Sequence, residues 1–357
     1  MGKDAHSFDA VADRSPRAGS PASPLAHLTR GDLVESIQSG HLAVVSADGL
    51  LMASQGDPDY LTFMRSTAKP LQALALTRSG AIARFGIVDE LLAVCCASHM
   101  GEPGHVEAVA TLLSRADIPL STLACGVHPP MYVPAAAALW RDGVEPTVLH
   151  NNCSGKHAGM LAAARALDAS LDGYLDPTHL VQVRILEGLA ALCHVPSAKI
   201  VIAVDGCGAP VHGVSMTQMA RAYAHLAAPE TTPSPVAAEN VAAVASAMTA
   251  HPWYVRGTDS ADTEIMKRTQ GRLLVKCGAE GVLCIAVRGS GVGLALKMES
   301  GRETALYAVA IAALRSLNLI GDVDLDALGE LAAPPIRNHQ GRLVGQTRPV
   351  VDLHRYV

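Results

Sequence analysis

Lysine is scarce in this sequence, with seven residues against twenty-one arginines. Arginine therefore serves most positive surface positions. A lysine kept in that background points to something arginine cannot do, such as acting as a neutral amine base. Three of the seven (Lys69, Lys156 and Lys276) lie in motifs rich in Gly, Ser or Cys. Also missing is any apolar run of 18 or more residues, which argues against a membrane-spanning helix. No basic patch dominates and the net charge is −5, so a nucleic-acid partner is not expected. Charged residues make up only 17 % against 49 % hydrophobic, the composition of a folded chain and not of a disordered one.

Residues 1–30 lack the apolar core of a signal peptide, so a cytoplasmic protein is expected. Their Ser, Pro, Ala and Gly content reads as a mobile tail ahead of one domain spanning residues 31–357. The eight cysteines then read as reduced thiols, buried or metal-bound, and not as disulfides.

Along the domain, residues 40–54 show two apolar runs about an Asp48-Gly49 turn, a hairpin signal. A helix is expected from Ser66 to near Gly80, and an amphipathic one from about Pro103 to Arg115. Residues 147–167 read as a loop opening into an alanine-rich helix, and 199–216 as a β-branched run followed by a tight turn. Residues 231–240 look like a loop, followed by a helix to about Ala250. GRLLVKCGAEGVLCIAVRGSGVGLALKMES reads as successive antiparallel strands, and 303–317 as a long helix. Hairpins at both ends with helices between them predict an α+β fold, an antiparallel sheet flanked by helices.

Four groupings carry chemistry. Ser66 and Lys69, three apart at a helix start, share a face, so the amine can reach the hydroxyl. Such a pair is either a helix cap with an exposed lysine or a nucleophile beside its base, provided burial or a nearby cation lowers the amine's pKa. Pro70 suits the first helical turn that follows. NNCSGKHAG repeats the spacing with Cys153 and Lys156 at a second helix entry, where a thiolate is stabilised. Cys207, in DGCGAP, sits on a tight turn two residues after Asp205; with Cys153 it is either a small buried side chain or a metal ligand. Ser98 and Lys276 form a second serine–lysine pair only if the fold brings them together.

RSTAKPLQ, CCASHMGE, NNCSGKHAGM, VDGCGAPV and KCGAEGV, in this order, resemble the asparaginase II family of the Rhizobium etli type. The resemblance runs from about residue 31 to the C-terminus. It implies a fold similar to serine β-lactamases, penicillin-binding proteins and glutaminases, and a homodimer that hydrolyses the side-chain amide of L-asparagine. It also implies Ser66 as nucleophile, Lys69 as its base, and Ser98 with Lys276 as a proton-relaying pair. Cys153, Lys156 and Cys207 match positions that bind zinc in the family. Arg65, His157 and Asp205 are the candidates for holding substrate, and backbone N–H groups at Ser66 and near Gly278 for holding an oxyanion. Two other readings stand beside this one. One is a glutaminase-like or β-lactam-processing serine amidohydrolase. The other is a non-catalytic metal-binding protein of the same fold.

Overall fold

The computed structural model describes residues 21–357. Twelve strands form two antiparallel sheets. They are β1 (Ser23–Arg30), β2 (Leu33–Ser46), β3 (Leu51–Gln55), β4 (Leu61–Phe63), β5 (Val201–Val204) and β6 (Pro210–Ser215). The others are β7 (Leu273–Gly278), β8 (Val282–Val287), β9 (Val292–Met298), β10 (Pro335–Arg337), β11 (Leu343–Pro349) and β12 (His354–Arg355). The large sheet runs β10-β11-β1-β2-β9-β8-β7, with β3 pairing β2 and β12 pairing β3. The small sheet runs β4-β6-β5. This is the expected α+β class, with helices packed on an antiparallel sheet.

β7, β8 and β9 are buried at every residue. A strand covered on both faces carries a continuous apolar run instead of alternating, and LLVKCG, VLCIAV and VGLALKM read that way. Lys276 is therefore a charged residue in the middle of a core strand, paired across to Cys284. The helix Met216–Ala227 packs on β9, β8 and β2. Its start is a capping box in which Ser215 and Gln218 satisfy each other's backbone N–H groups. At Gly293 the helix backbone at Ala220 comes so close that no side chain fits.

Two sequence expectations are corrected, and three strands are new. Of the tail expected over residues 1–30, the first 20 lie outside the described residues. The rest is not a tail, because Ser23–Arg30 is strand β1, hydrogen-bonded to β2 on one side and β11 on the other. Leu25 and Ala26 on that strand are in the core. The single helix expected after Ser66 is broken into a 3-10 turn, Arg65–Ala68, and two short helices, Lys69–Gln72 and Leu74–Thr77. Pro70 has no N–H to bond the Ser66 carbonyl, which instead accepts from Lys69 N in the tighter three-residue pattern. Strands β10 to β12 were not anticipated, since they are short, polar and half exposed.

The helix Met216–Ala227 also carries His225, whose Nε2 lies 2.9 Å from His194 Nε2 and whose Nδ1 lies 2.9 Å from Thr231 Oγ1. Burial, then the His194 and Arg221 charges, push its pKa down to about 4. The folded value lies below the unfolded value of about 6.5, so the unfolded chain takes up the proton first. Stability contributed here is complete above pH ~6.5 and falls as pH drops towards 4, by up to about 3 kcal/mol. His225→Gln should shrink the loss of urea midpoint between pH 6.5 and 4.5; an unchanged loss would place it elsewhere.

Candidate active site

Four elements converge on the predicted serines and lysines. The first is the 3-10 turn Arg65–Ala68, which packs against β7. Gly278 makes that approach possible: a Cβ there would stand 3.0 Å from Met64 O and 3.2 Å from Ser66 N. Tyr223 reinforces the turn by donating from its hydroxyl to Thr67 O at 2.8 Å. Arg65 adopts φ +50°, the left-handed region that a side chain rarely occupies, and this bends the chain into Ser66.

The second element is the segment after the helix Asp89–Cys95, which carries Ser98. Its backbone is held at both ends, Ser98 N donating to Val255 O at 3.0 Å and Arg256 Nη1 donating to Ser98 O at 3.1 Å. The third is the helix Ser154–Ala166, buried along its first eleven residues. Gly155 lets it sit directly against the Val94 carbonyl. The fourth is β7, which supplies Lys276.

At the centre is the Ser98 hydroxyl, 2 % exposed. Lys69 Nζ lies 2.9 Å from it and Lys276 Nζ 3.1 Å. Lys69, 1 % exposed, also donates to Ala97 O at 2.6 Å and Asn152 O at 3.4 Å. A neutral amine has two N–H donors and one lone pair. Two carbonyls and a donating Ser98 hydroxyl match that set. Lys276 donates to Cys277 O at 2.8 Å and has a carboxylate, Asp262, 3.8 Å away. Burial, then the neighbouring Lys156 and Lys276 cations, lower the Lys69 pKa to about 8 against the opposing pull of Cys153 and Cys207. The lysine of the Ser66 motif is thus a buried amine, and the exposed-lysine alternative is overturned.

Its bonding differs from the expected pair, however. Among the described residues no hydrogen bond joins Ser66 Oγ to Lys69; the amine is turned to Ser98. Ser66 itself is half-buried, whereas Ser98 is enclosed.

The cysteine motifs also meet. Cys125, Cys153, Cys207 and Ala209 form a small buried cluster of their own. Lys156 Nζ is 2.9 Å from Cys207 Sγ. Cys153 accepts the Cys207 thiol proton and has Lys69 and Lys156 beside it, which overcomes burial and pulls its pKa well below the usual thiol range. The Lys156 amine is held up by the two sulfurs and Asp205 despite its burial. Among the described residues no three His, Cys, Asp or Glu side chains converge as a metal site, so a ligand set here needs the Lys156 amine as a third donor. Cys125 joins the pair unannounced, since LACGVHPP reads as core in sequence.

At the mouth, Arg65 Nε donates to Asp205 Oδ1 at 3.1 Å, and its Nη1 lies 3.7 Å from Glu280. Glu280, 68 % exposed, was not singled out in sequence, because an acidic residue in a hairpin turn carries no signal of its own. His157 is fully enclosed and its Nδ1 lies 2.6 Å from the Tyr174 hydroxyl. Its enclosure separates it from Arg65 and Asp205, which are both partly exposed.

Gly278→Ala should cost roughly 1–3 kcal/mol in a denaturant titration, because the new methyl presses on the Ser66 turn. An unchanged midpoint would show that the turn yields freely.

No curated protein matches the chain in sequence. Similar solved structures include Mglu in its native form in 4.3 M NaCl, at 17 % identity and TM-score 0.43, covering 84 % of this chain and 66 % of that one. The chain thus spans just under two thirds of Mglu. Another is a β-lactamase from Mycobacterium bovis, at 14 % identity and TM-score 0.39, covering 78 % of this chain and 94 % of that one. A Bacillus glutaminase in 4.3 M NaCl gives 14 % identity, TM-score 0.37, and 78 % and 91 % coverage. The family profile described as L-asparaginase II matches residues 26–349, and on that match the chain belongs to the L-asparaginase II family, a family of amidohydrolases.

Proposed function

We propose that this chain hydrolyses the side-chain amide of L-asparagine to L-aspartate and ammonia, with Ser66 as nucleophile, working in the cytoplasm as a homodimer. The observation that carries the reading is the Ser98 hydroxyl held between two buried lysine amines, at 2.9 and 3.1 Å, one of which follows the half-buried Ser66 by three residues. Membership of the family supports the choice of amide.

In this mechanism the Ser66 hydroxyl attacks the carboxamide carbon, and its proton passes to the neutral Lys69 amine, which must turn from Ser98 to take it. Ser98 and Lys276 relay and balance that charge. The proton returns to the departing nitrogen, ammonia leaves, and water cleaves the ester on Ser66. Backbone N–H groups at Ser66 and Gly278 are the proposed oxyanion donors, a role supported by their close approach. Arg65 is assigned to the substrate's α-carboxylate and Asp205 to its α-ammonium. The two already pair with each other, so the zwitterion would replace one partner for each. His157 is assigned a supporting part, holding the Tyr174 hydroxyl that accepts the Ala124 N–H.

The soft, clustered donors of Cys153 and Cys207 with the Lys156 amine are the residues that would hold a zinc ion. When bound there, zinc would supply positive charge and Lewis acidity next to the serines. The ligands would have to give up the protons on Lys156 and Cys207, so loading would favour higher pH.

Ammonia release from L-asparagine, L-glutamine and a β-lactam distinguishes the readings. Asparagine should be turned over fastest. Ser66→Ala should lose a thousandfold or more, on the order seen for removal of a nucleophile, and Ser98→Ala about a hundredfold. A folded Ser66→Ala enzyme with full activity would overturn the nucleophile. Faster glutamine or β-lactam turnover would change the substrate, and zinc retention without any turnover would favour a non-catalytic protein. Separately, metal analysis of protein purified without chelator should find one zinc per chain, lost in Cys207→Ala. Zinc-free wild type after incubation with zinc and desalting would remove the site.

A further inference from the structure

The proposed mechanism leaves one buried carboxylate without a role. Asp262, in the first turn of the helix Ala261–Arg268, is 0 % exposed. Its Oδ2 accepts the Cys277 backbone N–H at 3.0 Å and lies 3.8 Å from Lys276 Nζ. Its Oδ1 accepts the Tyr307 hydroxyl at 2.7 Å. Burial alone would push this carboxyl up, but the Lys276 and Arg256 charges outweigh it and hold the pKa below the usual range. Asp262 is therefore an anion enclosed within the fold.

A buried charge persists only where partners compensate for lost water, and here the partners lead straight to the reacting groups. Lys276 donates to Ser98 Oγ at 3.1 Å and to Cys277 O at 2.8 Å. Cys277 is thus gripped on its N–H by Asp262 and on its carbonyl by Lys276. Arg256, the second cation beside Asp262, donates to the Ser98 carbonyl. Both cations that neutralise Asp262 therefore also hold Ser98, one by its hydroxyl and one by its backbone. The other ionisable groups facing this cluster are Lys69, the Cys96 and Cys277 thiols, Tyr307, Tyr223 and, through Arg256, Glu303. None of them supplies a second carboxylate within 4.0 Å of Lys276.

We propose that Asp262 is a positioning residue: clamped by Tyr307 and the Cys277 N–H, its carboxylate keeps the Lys276 ammonium directed at the Ser98 hydroxyl. The inference rests on the amidohydrolase reading above and adds a member to its machinery. With Lys276 held between Asp262 and Ser98, the Ser98 hydroxyl accepts from that side and donates to Lys69, which gives the relay a single direction. Tyr307 holds the carboxylate by its free edge.

The test is a double-mutant cycle on ammonia release from L-asparagine. Asp262→Asn should lower kcat by roughly tenfold or more, with KM within about threefold, because the substrate contacts at Arg65 and Asp205 are untouched. In a Lys276→Met background the same change should cost nothing further, since the group it positions is gone. Should Asp262→Asn not fold, Tyr307→Phe takes its place, as it loosens the carboxylate without altering any charge. It should lower kcat severalfold with KM held, and lose that effect in Lys276→Met. An unchanged kcat in a folded variant, or the same fold loss in both backgrounds, would overturn the positioning role while leaving the amidohydrolase reading intact. A wild-type enzyme that releases no ammonia from any amide would overturn both.

Discussion

Two lysine amines enclosed in the protein interior share one serine hydroxyl, and the surrounding structure is arranged to make that tolerable. Placing two ammonium groups 2.9 and 3.1 Å from a single oxygen in a low-dielectric interior is strongly unfavourable if both stay charged. The environment separates them. Lys69 faces two carbonyls, a hydroxyl and neighbouring cations, and its pKa falls to about 8. Lys276 has the Asp262 carboxylate within 3.8 Å. The two amines thereby stand in different surroundings, one among carbonyls and cations and the other beside a carboxylate.

That division depends on close backbone approaches, which only small residues permit. Gly278 admits the Ser66 turn against the end of β7, and Gly155 admits the Cys153–Lys156 helix against the Val94 carbonyl. The result joins a 3-10 turn, a loop, a helix and a core strand far apart in sequence. The helix brings its own cluster of sulfurs, whose Cys153 lies close enough to act on the Lys69 charge. Asp262 and Arg256 close the arrangement from behind, linking Ser98 and β7 to the helix Ala261–Arg268 and the segment just before it.

Much of this was legible in the residues. The β7–β9 meander announced itself through apolar runs punctuated by glycine, and the Pro103–Arg115 helix was found at both ends. The lysine count drew attention to the three lysines that prove to lie in the buried centre. What escaped has physical reasons. Residues 23–30 have a tail-like composition, and they are a strand because β2 and β11 pair with both their edges. The Ser66 helix failed to form as one piece because Pro70 removes the needed N–H. Asp262 sits in ADTEIMKR, where an acidic residue near a helix start reads as an ordinary helix-dipole partner. Its burial comes from β7 and the helix Leu306–Ser316, neither of which is local.

Sequence sufficed for the inventory: the α+β class, the ordered motifs and the family they belong to, and the two serines and two lysines proposed here to carry the chemistry. These follow from residue type and short-range spacing, which the chain carries locally. Only the tertiary structure decided the pairing. By spacing, Lys69 belongs to Ser66; in the fold its amine is turned to Ser98, where it meets Lys276 from a strand more than two hundred residues later. Spacing along a helix determines which side chains share a face. Which of them bond, and which amine keeps its proton, depends on carbonyls and charges that the rest of the chain delivers.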